Sequence, residues 1–334
     1  MDESARARIA AVVARYGAGI LAEPEPIALG TLNWNYRVRT DHGDLFVRRH
    51  LADATVDRIL VEHAAIVFAG DRGIPVARPL LTPANTSAVE FGGAVWAVFP
   101  WVEGRPVVRG EMSMSEVRAA GAMLGRVQAA LANHPLATKV GLPMRWSREQ
   151  STVALESAIA AARRTNAADW IREAMSLQLE LLARENIVPA EKFAPLLPFQ
   201  ACHGDYHDQQ LLFDAKGEIN LVCDWEMFSV RQRAMELVRS IDFALLLGTP
   251  FQAGYLAAYR EYVRISPDEA RAALRLWLQS RITESWAWTT HFLGGNERLV
   301  DFFPSMYAGL KKLAEPGWRA AVEERFVADA VRSP

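Results

Sequence analysis

The stretch that decides the fold reads HGDYHDQQLLFD over residues 203–214, followed after AKGEINL by VCDWE at 222–226. Leu211-Leu212-Phe213 and Ile219-Asn220-Leu221-Val222 are short apolar runs around Asp214-Ala215-Lys216-Gly217. Turn-forming residues between two such runs predict a β-hairpin. The hairpin returns the chain, so the polar residues before the first strand meet those after the second. Gln210 and Asp224 are thereby brought together. Phosphoryl transfer needs an oriented nucleophile, oxygen ligands for magnesium and neutralisation of charge on the moving group. Asp205 can accept a hydrogen bond from a substrate hydroxyl, Gln210 can offer an amide oxygen to a metal, and Asp224 adds a hard carboxylate suited to magnesium. Asp214 and Gly217 read as turn residues only. His203 and His207 read as buried braces of the loop, and Cys202, His203 and His207 match no familiar closed zinc site.

Working outward, Ala5–Tyr16 reads as a short helix. Residues 31–40 and 45–49 read as strands joined by Asp41-His42-Gly43-Asp44. Residues 53–70 read as a helix with an apolar stripe of Val56, Ile59, Leu60, Ala64 and Val67. Two further strands, Ala88–Phe91 and Ala94–Phe99, meet at Gly92-Gly93. Beyond residue 105 the pattern is mostly helical, with the strands of residues 203–228 as the one interruption. Ser113 and Glu116 have capping-box spacing ahead of Val117, Met123, Leu124, Val127 and Leu131. Another helix covers about residues 167–185, and Ser266-Pro267-Asp268-Glu269 starts a long helix ending near Gly294-Gly295. Trp277, Trp286, Trp288 and Phe292 read as core or substrate-wall residues.

The two motifs, in this order, resemble the aminoglycoside phosphotransferase, choline kinase and type II homoserine kinase superfamily, which is related to protein kinases. That resemblance implies an α+β, two-lobed fold with a small, mainly β N-terminal lobe and a large helical C-terminal lobe. The corresponding boundaries are 1–100 for the nucleotide-binding lobe, 101–105 for the hinge and 106–334 for the catalytic and substrate-binding lobe. It implies Asp205 as the catalytic aspartate, Asp224 as the principal magnesium ligand, and Gln210 at a position where the family commonly has asparagine. Gly30-Thr31-Leu32-Asn33-Trp34-Asn35-Tyr36 resembles the phosphate-covering hairpin, so Gly30, Asn33 and Asn35 are expected at the nucleotide. Arg48 stands where a lysine is common, and Glu62 resembles its acidic partner; an arginine fork is not equivalent to an ammonium group. Residues 98–105 resemble the hinge, with Val47 and Phe99 forming part of an adenine slot. Arg233, Glu236 and Asp242 are expected to stabilise the large lobe.

The implied reaction is transfer from ATP, with magnesium, to a hydroxyl of a small molecule: an amino alcohol, a sugar, a homoserine-like compound or an aminoglycoside. The Val-Phe-Pro hinge, the Glu-Gly-Arg after it and the Arg48–Glu62 pair also resemble atypical bacterial stress-response kinases, which keeps a protein serine or threonine open as the acceptor. Arg48 and Gln210 keep a non-catalytic nucleotide-binding protein open as a third reading. The whole chain sets the frame. Its 334 residues suffice for two lobes around a cleft, and a net charge of −2 argues against nucleic acid as a partner. Two cysteines make no disulfide framework. No apolar run approaches the roughly 18 residues of a membrane span, and a cytoplasmic location is the default expectation.

Overall fold

The computed structural model describes residues 3–27, 33–51, 53–138 and 147–332. The N-terminal part runs α1 (Glu3–Ala14), β1 (Glu25–Ile27), β2 (Trp34–Thr40), β3 (Gly43–Arg49), α2 (Val56–Gly70), β4 (Ala88–Phe91) and β5 (Ala94–Pro100). The strands form one antiparallel sheet in the order β1-β2-β3-β5-β4. The β2–β3 turn is tighter than the sequence pattern indicates, because Thr40 pairs with Gly43 and leaves only Asp41-His42 between the strands.

Alternation along β3 sets the two faces of this sheet. Leu45 and Val47 join Val38, Trp96 and Val98 in a core covered by Ile9, Val12 and Val13 of α1. Phe46 and Arg48 take the opposite face and line the cleft. The placement of Val47 in the adenine slot is therefore corrected: it shares no face with Arg48, and Phe46 stands there instead. The stripe read on α2 is also corrected. Leu60, Ala64 and Val67 face outward, while Ile59, Glu62, His63, Ile66 and Ala69 are buried. The helix turns two polar side chains inward, which hydrophobicity alone cannot anticipate.

After β5 come β6 (Arg105–Pro106), α3 (Met114–Leu131), α4 (Arg148–Arg164), α5 (Asp169–Arg184), β7 (Phe199–Cys202), β8 (Leu211–Phe213), β9 (Ile219–Val222) and β10 (Ser229–Gln232). The chain continues through α6 (Arg233–Phe243), α7 (Phe251–Tyr259), α8 (Pro267–Thr283), α9 (Trp286–Phe292), α10 (Phe303–Ala314) and α11 (Trp318–Val331). The capping box forms as read: Ser113 Oγ accepts from Glu116 N–H, and Glu116 Oε2 accepts from Ser113 N–H at 2.8 Å. On α3, Val117, Leu124, Val127 and Leu131 are fully buried. Helices α3 and α7 cross closely because Gly121 has no side chain. A Cβ there would lie 2.2 Å from the Tyr255 carbonyl oxygen.

Strands extend beyond the interruption read from sequence. β7 and β10 pair antiparallel, with Cys202 opposite Ser229, and so bracket the whole motif region. β6 adds to the β8–β9 hairpin. The single long helix from Ser266 is two helices. Gln178 Nε2 donates to the carbonyls of Ile282 and Glu284, both at 2.9 Å, and Ser151 Oγ donates to that of Thr283 at 2.8 Å. These side chains satisfy the last carbonyls of α8 and let the chain leave the helix before Trp286. No helix among the described residues is long and apolar enough to cross a membrane.

Candidate active site

The loop between β7 and β8 is held from below. Gly204 has φ +89°, and a Cβ there would meet the Met227 carbonyl oxygen at 2.0 Å, so the position requires glycine. Its N–H donates to Glu236 Oε1 at 2.5 Å, and Gln128 Nε2 donates to Glu236 Oε2 at 3.0 Å. His203 is fully buried; its Nε2 donates to the Cys223 carbonyl at 2.9 Å while Nδ1 accepts from Asp205 N–H at 3.3 Å. Burial lowers the His203 pKa, which suits a neutral ring bridging the two motif segments. His207 Nδ1 accepts from Gln209 N–H at 3.2 Å, and its Nε2 lies 3.7 Å from Asp205 Oδ2.

Gln210 and Asp224 meet as the hairpin requires, and Asp205 joins them. Gln210 Nε2 lies 3.3 Å from Asp205 Oδ2 and 3.4 Å from Asp224 Oδ2. The Gln210 amide oxygen faces the Cys223 thiol at 3.7 Å; a half-turn of the amide would present it to Asp224. Asp224 adopts a left-handed backbone, φ 62° and ψ 61°, a strained conformation for a non-glycine residue. Burial pushes the Asp205 carboxyl up, but the Arg239 guanidinium and then His207 outweigh it, leaving the carboxyl well below the usual range. Arg239, on α6, forms an ion pair with Asp205 Oδ1. Sequence reasoning missed this arginine. It lies three positions after Glu236, on the same helix face as the carboxylate that braces Gly204.

From the sheet side, Arg48 Nη1 donates to Asp224 Oδ1 at 2.9 Å and Nε to Asn35 Oδ1 at 3.1 Å. Burial acts against the Arg48 charge, but Asp224, Glu62 and Glu226 together raise its pKa. Glu62 therefore acts on Arg48 through its charge, while the ion-pair partner among the described residues is Asp224. Burial pushes the Glu62 carboxyl up to about 7, partly offset by Arg48. Asn33 is buried; its amide donates to Glu226 Oε2 and its carbonyl accepts from Leu51 N–H at 3.2 Å. Gly30 lies outside the described residues. Phe99 is buried beside Phe46, ring centroids 6.0 Å apart, and lines the cleft.

The cleft between the sheet and the helices has a volume of about 1460 Å³. Phe46, Ile66, Ala77, Phe99 and Val222 supply an apolar end, and Asp205 and Asp224 lie within it. Trp277 and Trp286 line its other end. Arg233 and Glu236 serve the large lobe, Arg233 through paired hydrogen bonds to Glu269 at 2.8 and 3.0 Å. Asp242 accepts from Trp277 Nε1 at 2.9 Å at the edge of the cleft. Magnesium binds through one or two carboxylates and retains waters. The Asp224 carboxylate and the Gln210 amide, adjacent in the cleft, fit that donor set.

The sequence matches the phosphotransferase enzyme family over residues 23–277, and the chain belongs to that family. It is thus a kinase-like phosphotransferase of the two-lobed α+β fold. Among solved structures it is similar to an aminoglycoside phosphotransferase from Alicyclobacillus acidocaldarius, at 17% identity and TM-score 0.60, covering 96% of this chain and 94% of that one. It is also similar to a microcompartment-associated aminopropanol kinase, at 13% identity and TM-score 0.60, covering 97% and 98%. A choline/ethanolamine kinase family protein from Mesorhizobium loti aligns at 19% identity and TM-score 0.54, covering 96% and 99%. No curated protein matches the sequence.

Proposed function

We propose that the protein transfers the terminal phosphoryl group of ATP, with magnesium, to a hydroxyl of a small molecule. The observation that carries this reading is the convergence of Asp205, Gln210 and Asp224 on one cleft, facing Arg48 from the opposite lobe. The apolar end beside Phe46 and Phe99 suits a purine, and Pro100, Trp101 and Val102 also line the cleft. Arg48 then meets the phosphates with a fixed positive charge. Asp224 and Gln210 would hold magnesium, which when bound neutralises phosphate charge.

Asp205 orients the acceptor hydroxyl and receives its proton. The hydroxyl oxygen bonds to the terminal phosphorus as the bond from phosphorus to the bridging oxygen breaks, giving ADP and a phosphate ester. Helices α8 and α9 contribute Trp277 and Trp286 to the walls of the cleft that would receive the acceptor. Solved relatives described as an aminopropanol kinase and as a spectinomycin phosphotransferase support a small molecule over a protein side chain as acceptor.

The test is ADP release by purified protein with ATP, magnesium and a panel of hydroxyl metabolites, aminoglycosides and generic protein acceptors. Release that depends on one small acceptor supports the reading. Phosphate appearing on protein instead, or no ATP binding at all, contradicts it.

A further inference from the structure

Three guanidinium groups converge on one ring at the acceptor end of the cleft. The guanidinium carbons of Arg109, Arg239 and Arg281 lie 5.5, 4.2 and 5.7 Å from the Phe243 centroid. They come from the segment before α3, from α6 and from α8, so tertiary structure assembles the cluster. All three line the cleft together with Asp205. Like charges gathered this way repel: burial first, and then Arg239 and Arg281, push the Arg109 pKa down against the pull of Asp208.

Their carboxylate partners leave this donor set incompletely used. Arg109 Nη2 donates at 2.5 Å to a neutral group, Gln209 Oε1. Arg281 Nε is 3.7 Å from Asp242 Oδ2, an oxygen already accepting from Trp277. Arg239 is committed to Asp205. Asp208 lies 3.3 Å from His207 Nδ1, an acceptor already taken by Gln209 N–H, and its two buried carboxylate oxygens have no hydrogen-bond partner among the described residues; burial pushes the Glu284 pKa up. Among the described residues, Arg109 Nε and Arg239 Nη1 are buried with no hydrogen-bond partner. An unsatisfied buried donor costs about 1–3 kcal/mol, and a ligand oxyanion would relieve that cost.

Resting on the phosphotransferase reading, we propose that the acceptor carries an anionic group, a carboxylate or a phosphate, near its reacting hydroxyl. Arg109, Arg239 and Arg281 hold that group beside Phe243. The anion also offers Arg239, here paired with Asp205, a second partner. A cationic acceptor meets three like charges and leaves Asp205 paired.

The experiment measures ADP formation with hydroxy acids, sugar phosphates, uncharged sugars, amino alcohols and aminoglycosides, in the parent, Arg281→Gln and Arg281→Lys. The best anionic acceptor should exceed the best cationic one by about 100-fold or more in kcat/KM. Arg281→Gln should raise its KM about tenfold and Arg281→Lys should recover part of that loss, which a purely structural arginine would not show. Comparing hydroxy acids with sugar phosphates distinguishes the two anions. An amino alcohol or aminoglycoside used better than every anion, in an Asp205-dependent reaction, overturns this inference and leaves the kinase reading standing. Should no acceptor turn over, calorimetric titration with 3-phosphoglycerate decides. Binding weakened about tenfold in a folded Arg109→Gln/Arg281→Gln variant upholds the inference; equal binding in both proteins, or none in either, overturns it.

Discussion

The Arg48 guanidinium donates to Asp224 Oδ1 at 2.9 Å, joining residues 176 positions apart across the cleft. This ion pair and the Asn33–Glu226 hydrogen bond tie the β-sheet to the loop after β9. Arg48 thus engages one oxygen of the carboxylate that we propose for magnesium, and a bound metal would compete with the ion pair for it. Replacing Asp224 with alanine should remove the magnesium-dependent part of ATP affinity, an expected weakening of about tenfold or more. Calorimetry with and without magnesium checks it; an unchanged magnesium dependence contradicts the metal assignment.

Glu236 is 3% exposed and accepts from both Gly204 N–H and Gln128. Glu236→Ala leaves the Gly204 N–H without its acceptor and Gln128 Nε2 with the Arg233 carbonyl alone, directly beneath the β7–β8 loop. A loss of about 3 kcal/mol in unfolding free energy is expected, read from urea denaturation, together with a fall in kcat.

The α3–α7 crossing gives a second stability test. Gly121→Ala places a methyl 2.2 Å from a backbone carbonyl, where only movement of a helix can relieve the clash. The expected cost is about 3 kcal/mol, seen as a shifted denaturation midpoint. Gly309→Ala, whose Cβ would approach only the flexible end of Arg281 at 3.4 Å, should cost much less.

Glu62 makes stability depend on pH. Its carboxyl rises from 4.5 to about 7 on folding, so between these values the native state holds a proton that the unfolded state has released. The stabilisation is complete below about pH 4.5 and is lost as pH rises through 7, a fall of about 3 kcal/mol from this residue. Glu62→Gln should flatten that slope in ligand-free protein, as measured by denaturant unfolding across pH 5 to 8.

The motif hairpin was legible because its signals are local. Asp214–Gly217 is bounded by apolar runs, and the meeting of Gln210 and Asp224 follows from the return of the chain. The Gly92-Gly93 turn and the Ser113–Glu116 cap were readable for the same reason. Val47 was misplaced although period-2 alternation held the answer: once Arg48 faces the cleft, Phe46 must as well. On α2 the buried Glu62 and His63 defeat an apolar-stripe criterion, since Glu62 lines the cleft and His63 pairs with the Ser87 hydroxyl. β7 and β10 pair across the whole motif, and short-range pattern carries no trace of such a contact. Arg239 was hidden in an ordinary amphipathic helix; only its placement one turn beyond Glu236 could have revealed it.

The most direct test of the central claim is single-turnover phosphoryl transfer by Asp205→Asn beside the parent, with ATP affinity measured on both. A loss of about 100-fold or more in transfer rate is expected, with ATP binding largely preserved. Equal transfer rates in the two proteins would contradict it.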